Sequence, residues 1–188
     1  GLEVLTVYAF STENWKRPPE EVEILMNLLI EYLQRETEEL HRNNVQIRAI
    51  GYLDDLPKAA QRELASAKNL TGNNTGLILN LALNYGGRVE ILEAARKIAS
   101  LVKDGKCSIE EIDEELFGSF LYTSGLPDPD LLIRTSGEMR VSNYLLWQLA
   151  YTELYVTDVL WPDFDKSQLL KALLVYQQRD RRYGGLKS

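Results

Sequence analysis

One histidine, His41, and one cysteine, Cys107, stand in a chain of 188 residues. A Ser-His-Asp or Cys-His catalytic set cannot be built around this histidine, which falls in the polar last turn of an expected helix. Interaction with the helix dipole is the ordinary role there. A lone cysteine excludes an internal disulfide framework, has no partners for a metal site, and favours a reducing compartment. Positive charge is also in short supply: 21 Lys and Arg against 28 Asp and Glu give a net charge of -7 and a sequence pI near 4.9. That balance excludes the broad basic footprint of a nucleic-acid binder, so a phosphate-bearing ligand would need a local positive site. Long apolar runs are missing as well. Leu77 to Leu83 is broken by Asn80, which excludes a transmembrane span. The opening GLEVLTVYAFSTENW lacks a basic region and a cleavage site, so no secretory signal is expected and the expected setting is the cytoplasm.

What is present has a clear rhythm. With 45% hydrophobic residues, the chain reads as one domain over residues 1–188, large enough to bury a real core. Leu2 to Phe10 is short, apolar and β-branched, and reads as a buried strand. STENWKRPPEEVE is a polar loop running into a helix, with Pro18 and Pro19 near its start and Glu20, Glu21 and Glu23 in its first turns. Val22, Leu25, Met26, Leu29 and Leu33 recur at helical spacing, and Asn43-Asn44 marks the end. VQIRAIG alternates as a strand ending at Gly51, a helix is expected from Pro57 to Leu70, and LILNLALNY is another buried strand. GGRVEILEAARKIASLVKDG reads as an amphipathic helix closed by Gly105, and SIEEIDEELFGSFL reads as helical. After the loop TSGLPDPD come a strand LLIRT, a helix SNYLLWQLAY, an extended ELYVTDVLW, and a last helix in which Asp165 and Gln168 are spaced like a capping box.

Strand and helix alternate throughout. This predicts an α/β fold with a mainly parallel central sheet and helices on both faces. Ligands of such sheets sit outside the carboxyl ends of the strands, which directs attention to the loops after Phe10, Tyr85 and Thr135. Because the chain opens directly on a buried strand, a first βα unit is expected to be missing.

The stretch LLIRTSGEMRVSNYLLWQLAY carries Arg134 at a strand end, a turn with a glycine, then Arg140 and Ser142 just before an expected helix. Two guanidinium forks, a hydroxyl and helix N-terminal N–H groups describe an anion site suited to phosphate or diphosphate. The bland alternative has Ser142 as a simple cap and the arginines paired with Glu138 or Asp130. Glu153, beside the same loop, could ligate magnesium facing a diphosphate, since Mg²⁺ takes one or two carboxylates plus phosphate oxygens. Its alternative is a salt bridge to one of those arginines. In the loop leaving the first strand, Ser11 and Asn14 could orient a phosphate or reacting group, Arg17 adds charge, and Trp15 could cover an apolar ligand. Equally, they serve as turn residues with Trp15 packed on the helix. NYGGR is a glycine turn after a strand, but it is not GxGxxG and lacks the Walker lysine. The pairs Asp128/Asp130 and Asp163/Asp165 read as turn or cap residues.

Taken together, YAFSTENWKRP, IGYLDDLP, LNLALNYGGR, DLLIRTSGEMRVSN, LLWQLAYTELYVTDVLWPDF and RRYGG resemble the cis-prenyltransferases, in particular bacterial undecaprenyl diphosphate synthases, in order from about Leu5 to Gly185. The resemblance implies a Mg²⁺-dependent enzyme that adds isopentenyl diphosphate to farnesyl diphosphate with cis double bonds, making a long-chain carrier lipid for the cell wall. It assigns Arg134, Arg140 and Ser142 to isopentenyl diphosphate and Glu153 to magnesium. Ser11 and Asn14 fall beside the reacting groups, with Trp15 and Arg17 in a mobile loop over the allylic substrate. Arg182 and Gly184 match a C-terminal Arg-x-Gly element that reaches the active site across a homodimer. Peripheral membrane contact through the product is expected. No Asp-Asp-x-x-Asp motif is present, so the trans-type solution for binding diphosphate through metal is absent. The family's N-terminal Asp-Gly-Asn-Gly-Arg-Trp-Ala segment is not in the sequence, and Met139 stands where some relatives place histidine. Two other readings are a noncatalytic subunit of the same fold that dimerises with an active partner, and a nucleotide-binding α/β module.

Overall fold

Alternating apolar and β-branched residues make Val4–Ser11 the first strand, β1. The computed structural model describes residues 1–179, and these fall into two compact units, Gly1–Pro127 and a second beginning at Asp128. In the first unit, Pro18 caps and Pro19 opens α1 (Pro19–Arg42), with Glu20 and Glu21 at its positive end and His41 and Arg42 at its negative end. The helix stops where Asn44 turns left-handed, at φ 58°, and returns the chain into β2 (Gln46–Ile50). Next come α2 (Lys58–Thr71), β3 (Ile78–Tyr85), α3 (Gly87–Lys103) and the short α4 (Glu114–Ser119).

The three strands form a parallel sheet in the order β1-β3-β2, with β3 in the middle. A central parallel strand is covered on both faces, which accounts for the nearly unbroken apolar sequence of β3. Phe10, Ile47 and Leu83 from the sheet join Met26 and Leu33 of α1 and Ala60, Leu64 and Ala67 of α2 in one core cluster. Val22, Leu25 and Leu29 pack against it as the helical spacing predicts. The outer strand β2 is not left bare. Thr71, fully buried at the end of α2, accepts from the Ile47 N–H at 3.0 Å and donates to the Ala67 carbonyl at 2.8 Å. One hydroxyl thereby satisfies a strand donor and a helix carbonyl together.

In the second unit, β4 (Leu131–Arg134) and β5 (Glu153–Val156) pair in parallel, and α5 (Lys166–Gln177) follows. Asp165 caps α5 as expected, accepting from the N–H groups of Ser167 and Gln168. The α/β organisation with parallel strands is therefore present, but among the described residues the strands form two sheets where one was expected.

Two helices depart from expectation. SIEEIDEELFGSFL splits into a 3-10 turn, Ile109–Glu111, and α4, because it holds two successive caps. Ser108 closes a capping box with Glu111, and Asp113 accepts from the Leu116 N–H at 2.8 Å. SNYLLWQLAY, with Ser142 as its expected cap, is not a helix but a series of turns. Ser142, Asn143 and Leu145 all adopt positive φ, between 43° and 62°, which interrupts the i to i−4 ladder. Ser and Asn bond readily to nearby backbone and so compete with helix at such positions.

Candidate functional site

In the first unit the carboxyl ends of β1 and β3 carry the residues of interest. The register of β1 against β3 slips around Phe10, between Tyr8 and Ser11, a bulge that re-aims the chain as it leaves the sheet. Ser11 then caps a 3-10 turn, Thr12–Lys16, and its own N–H donates to the Asn14 side chain at 2.7 Å. The Ser11 N–H and the Asn14 side-chain oxygen thus shape the turn. Arg17 pairs with Glu21 one helical turn on, in an exposed ion pair. Trp15 sets its edge against the Phe10 ring, centroids 5.1 Å apart, and donates its indole N–H to Asn84 at 2.7 Å.

Beside this turn lies a group of tyrosines organised by one buried carboxyl. Glu90, in the first turn of α3, accepts from the Tyr85 hydroxyl at 2.6 Å and from the Tyr122 N–H at 2.9 Å. Tyr85 meets both Tyr8 and Tyr122 edge to face, and Tyr8 donates to the Tyr85 carbonyl at 3.1 Å. Burial, helped by the charge of Glu13 and opposed by a bond with Ser11, pushes the Tyr8 hydroxyl up to about 12. A raised acid favours its neutral form in the fold. This stabilisation is full below the unfolded value near 10 and is lost as pH climbs from 10 towards 12. Tyr122 is shifted the same way, chiefly by burial. Tyr8→Phe should flatten the alkaline leg of the stability curve by on the order of 1 kcal/mol after solvent screening. Urea midpoints at pH 9 and pH 11.5 check this; an unchanged slope would mean the Tyr8 phenol ionises freely in the fold.

In the second unit Arg134 ends β4. Its Nε is buried and has no hydrogen-bond partner among the described residues. The following turn is tight: Ser136 and Gly137 both sit at φ 67°, and their N–H groups donate to the carbonyls of Val159 and Thr157, each at 2.9 Å. Those donors are spent within the unit. With no helix after Ser142, the helix N-terminal part of the expected anion site is absent. Arg140 pairs with Glu138, as its plainer alternative anticipated. Glu153 opens β5 opposite Leu131, whereas Arg134 lies opposite Val156. Three residues of strand separate them, roughly 10 Å. Glu153 bonds instead to Arg179 at 2.7 Å, a partner the sequence reading did not name. Arg182 and Gly184 lie outside the described residues.

Among the described residues no three Asp, Glu, His or Cys side chains gather as a metal site. A magnesium ion carried in on a diphosphate needs only one or two protein carboxylates, because phosphate oxygens complete its shell. Glu153, a hard oxygen donor, fits that requirement once its arginine partner yields. Besides Arg179, the sequence reading missed Asn84 and Glu90. For Asn84 a signal existed, an asparagine at a strand-to-glycine junction, which is a common site of left-handed backbone. For Glu90 there was none, because its helical position is like that of any exposed glutamate.

Comparison with known proteins now adds to the geometry. A family model for undecaprenyl diphosphate synthases matches residues 1–184. The isoprenyl transferase of Heliobacterium mobile is 58% identical over 183 residues, covering 97% of this chain and 70% of that protein. That of Bacillus subtilis is 55% identical over 186 residues, 99% of this chain and 72% of that protein. Among solved structures, lavandulyl diphosphate synthase from Lavandula x intermedia in complex with dimethylallyl diphosphate superposes with a TM-score of 0.95 at 42% identity, covering 97% of this chain and 79% of that one. A probable undecaprenyl diphosphate synthase from Campylobacter jejuni gives 0.85 at 35%, with 97% and 84% covered. Parallel α/β architecture, the motif series from YAFSTENW to WPDF and this agreement along nearly the whole chain have one explanation: the chain belongs to the cis-prenyltransferases of the undecaprenyl diphosphate synthase family.

Proposed function

We propose that the chain takes part in cis-prenyl elongation, joining isopentenyl diphosphate to farnesyl diphosphate and building a long polyprenyl diphosphate for a cell-wall lipid carrier. The observation that carries this reading is Arg134. A guanidinium at the carboxyl end of a parallel strand, whose buried Nε–H has no acceptor among the described residues, calls for an anionic ligand. Arg134 binds the diphosphate of the isopentenyl unit, with Arg140 and Ser142 contributing from the turns that follow. The Ser11–Arg17 turn meets the allylic substrate. Trp15, 40% exposed, offers it an apolar face, and Arg17 can exchange Glu21 for a phosphate. Support for an allylic diphosphate comes from the lavandulyl synthase, whose complex holds dimethylallyl diphosphate.

In the reaction the allylic C–O bond breaks and its diphosphate leaves. The isopentenyl double bond supplies the electrons of the new C–C bond, and a proton departs from the adjacent carbon. Arg134 orients the nucleophile, and the cationic groups around each diphosphate stabilise developing charge. Glu153 would hold Mg²⁺ together with diphosphate oxygens, and the ion supplies neutralising charge for the leaving group.

A homodimer belongs to the same proposal, with Arg182 and Gly184 acting across it. Leu154, Val156, Leu160, Trp161, Leu170 and Leu174 are exposed apolar side chains in the second unit, and a second copy would cover them. No helix among the described residues is long and apolar enough to cross a membrane. The long apolar product is the basis for the peripheral membrane contact proposed, from the cytoplasmic side. The test is elongation with Mg²⁺, farnesyl diphosphate and labelled isopentenyl diphosphate. Long-chain product that disappears in Glu153→Ala supports the whole reading. Saturable isopentenyl diphosphate binding without product would instead make the chain an accessory subunit.

A further inference from the structure

Two segments leaving the sheet meet at one side chain of β3 in the first unit. Asn84, the penultimate residue of β3, is 3% exposed and left-handed at φ 47°. Its Oδ1 accepts from the Trp15 indole at 2.7 Å, and its Nδ2 donates to the Tyr52 carbonyl at 3.0 Å. The Tyr52 N–H in turn donates to the Asn84 carbonyl at 3.2 Å. An indole N–H can only donate and a carbonyl can only accept, so the two partners fix which way the amide points. The segments leaving β1 and β2 are tied to β3 through it.

No other residue type meets all these demands. Asparagine tolerates positive φ better than other residues with a side chain. Glycine would keep the backbone but lose both bonds. Aspartate would keep an acceptor for Trp15 while setting an oxygen against the Tyr52 carbonyl.

The object held in this way is unusual for a core anchor. Trp15 is fixed at its polar end by a buried amide and at one edge by Phe10, yet 40% of it stays exposed. A large aromatic oriented so firmly while open to solvent is a prepared contact surface for an apolar ligand. A ring that served only packing would be turned inward.

We propose that Asn84 is a positioning residue, which holds Trp15 and with it the Ser11–Arg17 turn ready for an allylic diphosphate. The ligand class rests on the function proposed above; the clamp itself does not. Pre-ordering the turn spares the ligand the entropy of ordering it, so loss of the clamp appears as weaker allylic binding with isopentenyl binding unchanged.

The experiment uses the full chain as wild type, Asn84→Gly, Asn84→Asp, Trp15→Phe and the Gly/Phe double variant. Hydrogen exchange across Thr12–Lys16 and the Trp15 indole N–H resonance are read without ligand. The resonance is assigned by its disappearance in Trp15→Phe. Calorimetry then gives Kd for farnesyl and isopentenyl diphosphates. Asn84→Gly is expected to speed exchange in the turn and weaken farnesyl diphosphate binding, each about tenfold, as the loss of the bond to the Trp15 indole implies, with the bond to the Tyr52 carbonyl lost beside it. Trp15→Phe should weaken it comparably, and the double variant no further than either alone. Asn84→Asp should keep the indole resonance near its native position. Unchanged exchange and an unmoved indole in Asn84→Gly would overturn the proposal, as would losses that multiply in the double variant. Failure of the wild type to bind farnesyl diphosphate would sink the functional reading instead, and the exchange data would still decide the clamp.

Discussion

Arg134→Ala is expected to raise the Kd for isopentenyl diphosphate about 100- to 1,000-fold, equivalent to about 3–4 kcal/mol, while leaving thermal stability nearly untouched. The two halves of that expectation have one cause. The buried Arg134 Nε has no partner among the described residues, so the fold gains little from that N–H and a diphosphate would gain a great deal. Charge-assisted bonds to a phosphate, made in a partly desolvated place, are among the strongest polar contacts available. Arg134→Lys should recover only a small part of the loss. An ammonium is a point charge and cannot present the planar fork that matches two phosphate oxygens. Arg140→Ala is expected to cost less, because Arg140 is exposed and already paired with Glu138. Calorimetry with isopentenyl diphosphate beside a melting curve separates the possibilities. A variant that melts several degrees lower yet binds normally would make Arg134 a structural residue.

Gly51→Ala should unfold the first unit or lower its stability by more than about 4 kcal/mol, a loss well outside the ordinary range for one methyl group. Gly51 follows β2 at φ 115°, a conformation that side chains rarely adopt, and an added Cβ would lie 2.0 Å from the Leu83 carbonyl and 3.0 Å from that of Asn84. Both obstacles are backbone of the central strand, so no rotamer change can clear them. Gly105 supplies the control. It also has positive φ, at 67°, but nothing lies within 4 Å of the added atom. Gly105→Ala therefore carries only the conformational cost, about 1–2 kcal/mol. Circular dichroism melts of the two variants check the contrast. Similar melting of both would show that β3 can give way at Leu83.

Effects of such different kinds mark where local sequence stops being informative. The length of α1 was legible because apolar residues recur on one face, prolines open it and two asparagines close it. Those are neighbour effects within a turn or two of chain. The β3 pattern was legible for a similar reason, since a covered parallel strand is mostly apolar, as this one is apart from Asn80 and Asn84. SNYLLWQLAY has a helical apolar pattern too, yet it forms turns with three left-handed residues. Its periodicity reports that these side chains seek burial and does not dictate the backbone that buries them. Arg140 beside Glu138 was anticipated from two residues' separation. Glu153 with Arg179 was not, being separated by 26 residues.

By itself the sequence determined the α/β class, the run of motifs that places the chain among cis-prenyltransferases, and the helix and strand boundaries set by caps, prolines and periodicity. Tertiary structure alone decided that Asn84 holds Trp15, that Glu90 gathers Tyr85 and Tyr122, that Glu153 is paired with Arg179, and that the Arg134 Nε finds no partner among the described residues. Caps and periodicities arise from contacts a few residues apart, so the order of residues records them directly. A buried polar bond joins positions that only the folded sheet brings together, and whether a donor is satisfied depends on what the rest of the chain places beside it.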